Sequence, residues 1–96
     1  MLYKIYAIKY ANKFRGASRT DGRYPLRIGR IVDIDPRNIQ IGRNLILEYK
    51  NSDGSDNNSW LMCSKIVAYH ELHNGLLQIE TKNSIYEFER NTDYNG

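Results

Sequence analysis

The chain has 96 residues, of which 41% are hydrophobic and 26% are charged, and it contains one cysteine. This length provides one domain with one modest core, and a lone cysteine excludes an internal disulfide. No apolar run approaches the ~18 residues that cross a bilayer, and charges interrupt the apolar residues at the N-terminus. We therefore expect residues 1–96 to form a single cytoplasmic domain without a membrane partner.

Charge is distributed unevenly along the sequence. Residues 1–43 contain ten basic and three acidic residues, a charge of +7, whereas residues 44–96 contain four basic and eight acidic residues, a charge of −4. Seven of the bases lie between Lys9 and Arg30, where Asp21 is the only acid. A positive field of this kind attracts anions, above all phosphate.

The N-terminal quarter of the chain combines a strand with a basic loop. Residues 2–10 alternate in hydrophobicity, which predicts a strand that is buried on much of both faces. Glycines and short polar residues break the pattern over residues 11–24, which we interpret as a long basic loop. This loop contains at most one short helical turn near residues 11–15, ended by Gly16.

The middle of the chain contains two further predicted strands. Alternation over residues 26–34 predicts a strand in which Arg30 falls on the apolar phase, near the strand end or a site. Residues 44–50 predict another strand, preceded by a short extended piece at residues 38–41. The polar, turn-rich residues 51–59 predict a flexible surface loop.

The C-terminal part of the chain has the pattern of antiparallel hairpins. Residues 60–72 and 76–80 are β-rich and flank Asn74-Gly75, a step that favours a type I′ turn. Residues 84–89 alternate between a buried face and an acidic one, and the tail 91–96 is expected to be disordered. Five to seven such strands predict an all-β fold, either a small rolled antiparallel sheet or an SH3-like barrel.

The usual signatures of metal binding and nucleophilic catalysis fail on spacing. His70, Glu71 and His73 contain metal-ligating groups, but residues three apart on a strand point to opposite faces and no fourth ligand is nearby. Cys63 is the only thiol, and nothing in the sequence marks it as activated. We therefore interpret His70 and His73 as ordinary hairpin residues and Cys63 as a buried structural residue.

Two acids near the middle of the chain have two possible roles. Asp33 and Asp35 share one face of a strand and suit either a divalent cation or ion pairs with Arg30 and Arg37. We favour the ion pairs. The sequence therefore predicts no metal, no cofactor, no catalytic residue and no enzymatic activity.

The basic loop is the candidate binding site. Its segment from Gly16 to Gly22 lacks the order of a P-loop, yet it offers free backbone N–H groups, hydroxyls and arginines, which suit a phosphate or another oxyanion. Flanking aromatic rings suit base stacking. A solvated loop on a mildly basic protein is the alternative. The candidate ligand-binding residues are Tyr10, Lys13, Phe14, Arg15, Ser18, Arg19, Thr20, Arg23, Tyr24, Arg27 and Arg30.

The C-terminal third of the chain also resembles a known group of proteins. The residues concerned are Trp60, Ser64 and Ile66, followed by Ile79-x-Thr81-x-Asn83-Ser84-x-Tyr86-x-Phe88. This stretch resembles small bacterial and phage β proteins, among which are inhibitors of host defence and oligomeric sponges that sequester cyclic nucleotides. The resemblance implies a phage-encoded anti-defence protein acting in a bacterial or phage-infected host cell. It supplies no catalytic residue.

Two functional hypotheses follow from the sequence. The first is a non-enzymatic binder of a phosphate-bearing ligand, either a nucleotide second messenger or a nucleic acid. The second is an inhibitor that presents its basic face to an acidic protein partner. Homo-oligomerisation fits either hypothesis, because so small a barrel offers few concave sites within one subunit.

Overall fold

The structure, a computed structural model, describes residues 1–91, and these form a closed antiparallel barrel of six strands. The strands are β1 (Leu2–Tyr10), β2 (Ile31–Asp33), β3 (Asn44–Lys50), β4 (Asp56–Glu71), β5 (Leu76–Thr81) and β6 (Ser84–Arg90). Each strand pairs with the next along the chain, and β6 closes the barrel against β1. The predicted all-β fold class is confirmed.

The barrel core is formed by the inward residues of all six strands. Phe88 is fully buried and stacks on Tyr86, with ring centroids 5.9 Å apart. Tyr3 contacts Phe88 edge to face at 6.3 Å. The remaining core residues are Ile5, Ile8, Val32, Ile34, Leu45, Leu47, Tyr49, Ile66, Leu77 and Ile79.

A β-bulge in β1 explains why both of its faces looked apolar. The pairing with β6 shifts between Ile5 and Ala7, so that Ile5 lies opposite Phe88 and Ala7 opposite Glu87. The extra residue changes which side chains point inward. Tyr3, Ile5 and Ile8 are therefore buried, whereas Tyr6 is exposed.

The strand predicted over residues 26–34 is wrong in its first half. The structure has a single helical turn, α1 (Tyr24–Arg27), and β2 covers only Ile31–Asp33. Proline at the start of α1 has a φ suited to a helix, and Gly29 adopts a φ of 86°, which breaks an extended run. The apparent apolar face is consequently exposed, Leu26 by 73%.

The other helical turns also differ in place from the prediction. Residues 11–15 form a hydrogen-bonded turn, with Arg15 N donating to Asn12 O, but no helix. A 3-10 turn at Pro36–Asn38 overlaps the start of the extended piece expected at residues 38–41, and no strand forms at residues 39–41.

The hairpin between β4 and β5 has the predicted turn. Asn74 and Gly75 have φ values of 64° and 75°, the two positive angles that a type I′ turn requires. The loop before β4 is shorter than expected, because β4 already begins at Asp56. β4 is long because its first half pairs with β3 and its second half with β5.

A second tight turn joins β5 to β6. Thr81 is buried, and its Oγ1 accepts hydrogen bonds from the N–H groups of Asn83 and Ser84 at 3.4 and 3.1 Å. The hydroxyl donates to Ser84 O at 3.2 Å. These bonds fix the step at Asn83 and Ser84 that sets the register of the two strands.

The chain ends leave one prediction outside the described residues. Asn91 N donates to Leu2 O at 3.0 Å, while residues 92–96 of the predicted disordered tail lie beyond the described part. Within residues 1–91, no helix has the length and apolar character needed to cross a membrane.

Candidate functional site

The basic loop folds back onto the end of β1. Tyr10 N donates to Ala17 O at 2.9 Å, and Arg19 N donates to Ile8 O at 2.8 Å. Ser18 forms an isolated β-bridge with Lys9. The loop is therefore anchored by its backbone, and this anchoring places the arginines that follow it.

Arg19 lies inside the loop rather than on its surface, with a side chain only 12% exposed. Its guanidinium donates to both carboxylate oxygens of Asp21, at 3.0 and 2.5 Å. It also donates to Asn83 O at 2.9 Å and to Ser84 Oγ at 2.8 Å. Four of the five N–H donors of an arginine are thus engaged within the protein. Arg19 joins the loop to the turn between β5 and β6.

The Arg19–Asp21 contact sets the charge state of the loop. Hydrogen bonding from Arg19 lowers the pKa of the Asp21 carboxyl to about 2. The same hydrogen bonds raise the pKa of the Arg19 guanidinium. Both groups are ionised across the physiological range, so Asp21 neutralises Arg19 there.

Tyr24 contacts two guanidinium groups. The Arg19 Cζ atom lies 3.8 Å from the Tyr24 ring centroid, and the Arg27 Cζ atom lies 4.3 Å from it. Arg19 also lies over the ring of Tyr10, at 5.0 Å. Cation–π contacts of this kind attract a guanidinium to a ring and restrict its position.

Arg27 reaches into the barrel. Its Nη1 donates to the hydroxyl oxygen of Tyr86 at 2.9 Å, and the Cys63 thiol donates to the same oxygen at 3.5 Å. Burial raises the pKa of the Tyr86 hydroxyl well above its usual range, and burial likewise raises the pKa of the Cys63 thiol. Both groups are therefore protonated at neutral pH, and Arg27 has no carboxylate partner among residues 1–91.

Arg30, like Arg27, contacts a tyrosine side chain and has no carboxylate partner among residues 1–91. Its Cζ atom lies 3.9 Å from the ring centroid of Tyr49, and it forms no ion pair with any described residue. Burial raises the pKa of the Tyr49 hydroxyl, while the charges of Arg27 and Arg30 act in the opposite direction. The positive charges of Arg27 and Arg30 thus both act on the Tyr49 hydroxyl, which places the two guanidinium groups on one side of the barrel. Arg23 precedes α1 and is exposed.

The remaining predicted site residues lie apart from this cluster or contribute little to it. Arg15 donates to both oxygens of Glu80, at 2.8 and 2.6 Å, and is neutralised by them. Lys13 lies over the exposed ring of Phe14, at 5.5 Å. Thr20 is exposed, and its backbone N–H donates to the Tyr10 hydroxyl at 3.4 Å.

The site residues fall into two groups according to their partners. The framework group holds the loop by internal contacts and comprises Tyr10, Arg15, Arg19, Asp21 and Tyr24. The open arginines are Arg23, Arg27 and Arg30, which have no acidic partner among residues 1–91. The sequence pattern could not separate these two groups.

Asp33 and Asp35 are both engaged in ion pairs. Asp33 accepts from the N-terminal ammonium at 2.8 Å, and Asp35 pairs with Arg37 at 3.1 Å. The expected ion pair of Asp35 with Arg37 is thus present, whereas Arg30 pairs with neither acid. Within the described residues, no three His, Cys, Asp or Glu side chains converge in a way that would hold a metal ion.

Sequence reasoning missed three residues that shape the site. Tyr86 accepts from Arg27, the Tyr49 ring contacts Arg30, and Cys63 shares the Tyr86 hydroxyl. One signal was present, since a buried tyrosine hydroxyl generally needs a polar partner and Tyr86 falls on the buried phase of its strand. Which arginine would supply that partner depends on the fold.

The chain was also compared with known proteins. No protein-family model matches it, and neither a curated protein nor a solved structure is significantly similar to it. The function is therefore inferred from the geometry of the chain itself.

Proposed function

We propose that the protein is a non-enzymatic binder of a phosphate-bearing ligand, and that Arg27 and Arg30 contact the phosphate. The observation that supports this most is that both guanidinium groups lie on tyrosine rings without an acidic partner among residues 1–91. Unused N–H donors on a positioned guanidinium form short, charge-assisted hydrogen bonds to phosphate oxygens. Arg23 adds a third positive charge on an exposed side chain.

The framework group supports this proposal indirectly. Arg19 has one N–H donor left after its internal bonds, so its role is to hold Tyr24 in place against Arg27. A positioned guanidinium loses less conformational entropy on binding than one on a mobile side chain. The loop is thus a support for the open arginines more than a phosphate cradle of its own.

Two sources of phosphate share this chemistry. A nucleotide messenger would bind with a fixed stoichiometry, and it corresponds to the anti-defence sponge that the sequence resemblance implies. A nucleic acid would bind along its backbone, and its affinity would fall steeply with salt because counterions are released. Titrations of one labelled cyclic dinucleotide and one labelled single-stranded oligonucleotide distinguish the two sources.

The test uses two double variants that remove equal charge. R23Q/R30Q removes two open arginines, whereas R15Q/R37Q removes two that are paired with Glu80 and Asp35. Fluorescence anisotropy with the probe that the wild type binds should show a loss of affinity of about tenfold or more for R23Q/R30Q and about twofold or less for R15Q/R37Q. Equal losses in both variants would mean that net charge alone attracts the probe, and no binding of either probe by the wild type would contradict the proposal.

A second candidate function is favoured by one observation. Leu26 is 73% exposed and Ile28 is 45% exposed, and both lie between open arginines. Mixed apolar and basic surfaces also suit an acidic protein partner. In titrations with the same two probes, an inhibitor of this kind would bind neither.

A further inference from the structure

A groove of about 620 Å³ runs along the outer face of β3 and the first half of β4. In the strand pairing, Ile46 lies opposite Met62 on this face. Glu48 lies opposite Trp60, so the two pairs are neighbours along the groove. Trp60 is 61% exposed, Met62 58% and Ile46 40%. Contiguous exposed apolar groups around a groove mark an interaction surface, whereas scattered ones do not.

The indole ring of Trp60 is free to accept a cation. Among residues 1–91, no other aromatic ring pairs with it, and no Lys or Arg side chain lies over it. The arginine–ring contacts of the basic loop and of Arg30 all use tyrosines, although tryptophan is the ring that attracts a cation most strongly. The strongest cation-binding ring of the chain therefore faces the groove without a cation from the described residues.

A carboxylate without a cationic partner lies next to this ring. Glu48 is exposed, and it forms no ion pair with any of residues 1–91. Directly opposite residues of an antiparallel pair have Cβ atoms about 5 Å apart, so Glu48 and Trp60 can contact one group together. A guanidinium suits both partners, because it stacks on aromatic rings and its parallel N–H donors match the two oxygens of a carboxylate.

The charge and the length of the groove indicate the kind of partner. Lys50 and Asp56, which also line it, pair with each other at 3.9 Å, so the charge of Glu48 is left uncompensated within the groove. At about 3.3 Å per residue, the stretch of β3 from Ile46 to Lys50 spans about 13 Å, the length of roughly four residues of extended chain. The groove is therefore long enough for a short peptide segment, and its excess charge is negative.

We propose that this groove binds an arginine side chain on an extended segment of a protein partner. The guanidinium stacks on Trp60 and pairs with Glu48, and the charge complementarity of that pair selects the arginine. An apolar side chain two residues away in the segment points to the same face and packs against Ile46 and Met62. A buried aromatic anchor beside one specific charge pair is typical of the residues that dominate binding at protein interfaces.

Arginine binding in the groove is independent of phosphate binding. None of the open arginines or framework residues lines the groove. The groove attracts a positive group, whereas the open arginines attract a negative one. Loss of the arginine contact without loss of phosphate binding, or the reverse, would separate the two proposals.

Titration with a short peptide at low salt tests the proposal. The probe is acetyl-Leu-Ser-Arg-Ser-Leu-amide, which places a leucine two residues from the arginine in either chain direction. Trp60 is the only tryptophan of the chain, so its fluorescence reports binding at the groove. We expect a saturable change with this peptide, and binding about tenfold weaker when citrulline, the uncharged isostere, replaces the arginine. Equal binding of the two peptides, or no binding of the arginine peptide, would overturn the proposal.

Two variants that remove equal charge test the role of Glu48. E48Q removes the carboxylate from the groove, whereas E89Q removes an exposed carboxylate from β6. E48Q should weaken binding of the arginine peptide about tenfold and leave binding of the labelled oligonucleotide unchanged, and E89Q should change neither. Equal losses of peptide binding in both variants would overturn the proposal. A dependence of Trp60 fluorescence on protein concentration without peptide, expected if a second copy occupied the groove, would also overturn it.

Discussion

The basic loop is stabilised mainly by polar contacts, whereas the ribbon in which β3 pairs with the first half of β4 is stabilised by apolar burial. Over residues 11–30, Ala11 is the only buried apolar residue, and the segment is held by backbone bonds, ion pairs and guanidinium–ring contacts. In the ribbon, Leu45 and Leu47 are buried in the core while Trp60 is left exposed on the opposite face. The loop should therefore respond to charge and pH, and the ribbon to changes in apolar surface.

Removal of Arg19 should disturb the loop more than any other single change. R19M loses four hydrogen bonds and two ring contacts, and we expect it to lower the free energy of unfolding by about 2 to 3 kcal/mol. R15M removes an ion pair whose arginine is 56% exposed and screened by solvent, and it should lower the free energy of unfolding far less than R19M does. Denaturant unfolding measures both. Equal costs would show that Arg19 does not hold the loop.

Removing the hydroxyl of Tyr86 should have a smaller effect that reaches both regions. Y86F keeps the buried ring but removes the oxygen that accepts from Arg27 on the loop side and from Cys63 on the ribbon. We expect a loss of about 1 kcal/mol in unfolding free energy and weaker phosphate binding, because Arg27 is no longer positioned. Unchanged binding of the labelled oligonucleotide by Y86F would mean that Tyr86 does not position Arg27.

The smallest expected effect is a local response to acid. The Asp21 pKa is lowered from 3.8 to about 2, so the folded loop binds fewer protons than the unfolded chain in this range. The stability that Asp21 contributes is present above about pH 4 and is lost as pH falls towards pH 2. Amide hydrogen exchange should show increased opening of the loop before any opening of the ribbon over this range.

The variant D21N is the control for that response. It cannot titrate at this position, so the difference in exchange between loop and ribbon should change less with pH than in the wild type. An acid response of the same size in D21N would assign the effect to other carboxylates, such as Glu80, whose pKa Arg15 also lowers.

The fold was predictable because strand alternation and the Asn74-Gly75 step are local signals. The bulge in β1 was not, since it follows from pairing with β6 and has no residue signature of its own. Residues 26–34 were misinterpreted because alternating apolar residues also occur in an exposed helical turn.

The candidate site was predictable only as a region. Charge clustering identified the basic loop, but the partners of Arg15 and Arg27 are distant in the sequence and are brought close only by folding. Arg15 and its partner Glu80 are 65 residues apart, and Arg27 and Tyr86 are 59 apart. The sequence therefore could not separate the framework group from the open arginines.

Whether the open arginines contact phosphate is best measured by NMR of the arginine Nε–Hε groups, during titration with a short single-stranded oligonucleotide and with a cyclic dinucleotide. We expect the Arg27 and Arg30 signals to shift with one of the probes, while the Arg19 signal, whose Nε–H already donates to Asp21, stays in place. The Arg37 signal, paired with Asp35, should also stay in place. Shifts of equal size at all four arginines, or none at Arg27 and Arg30 with either probe, would contradict the proposed division between open and framework arginines.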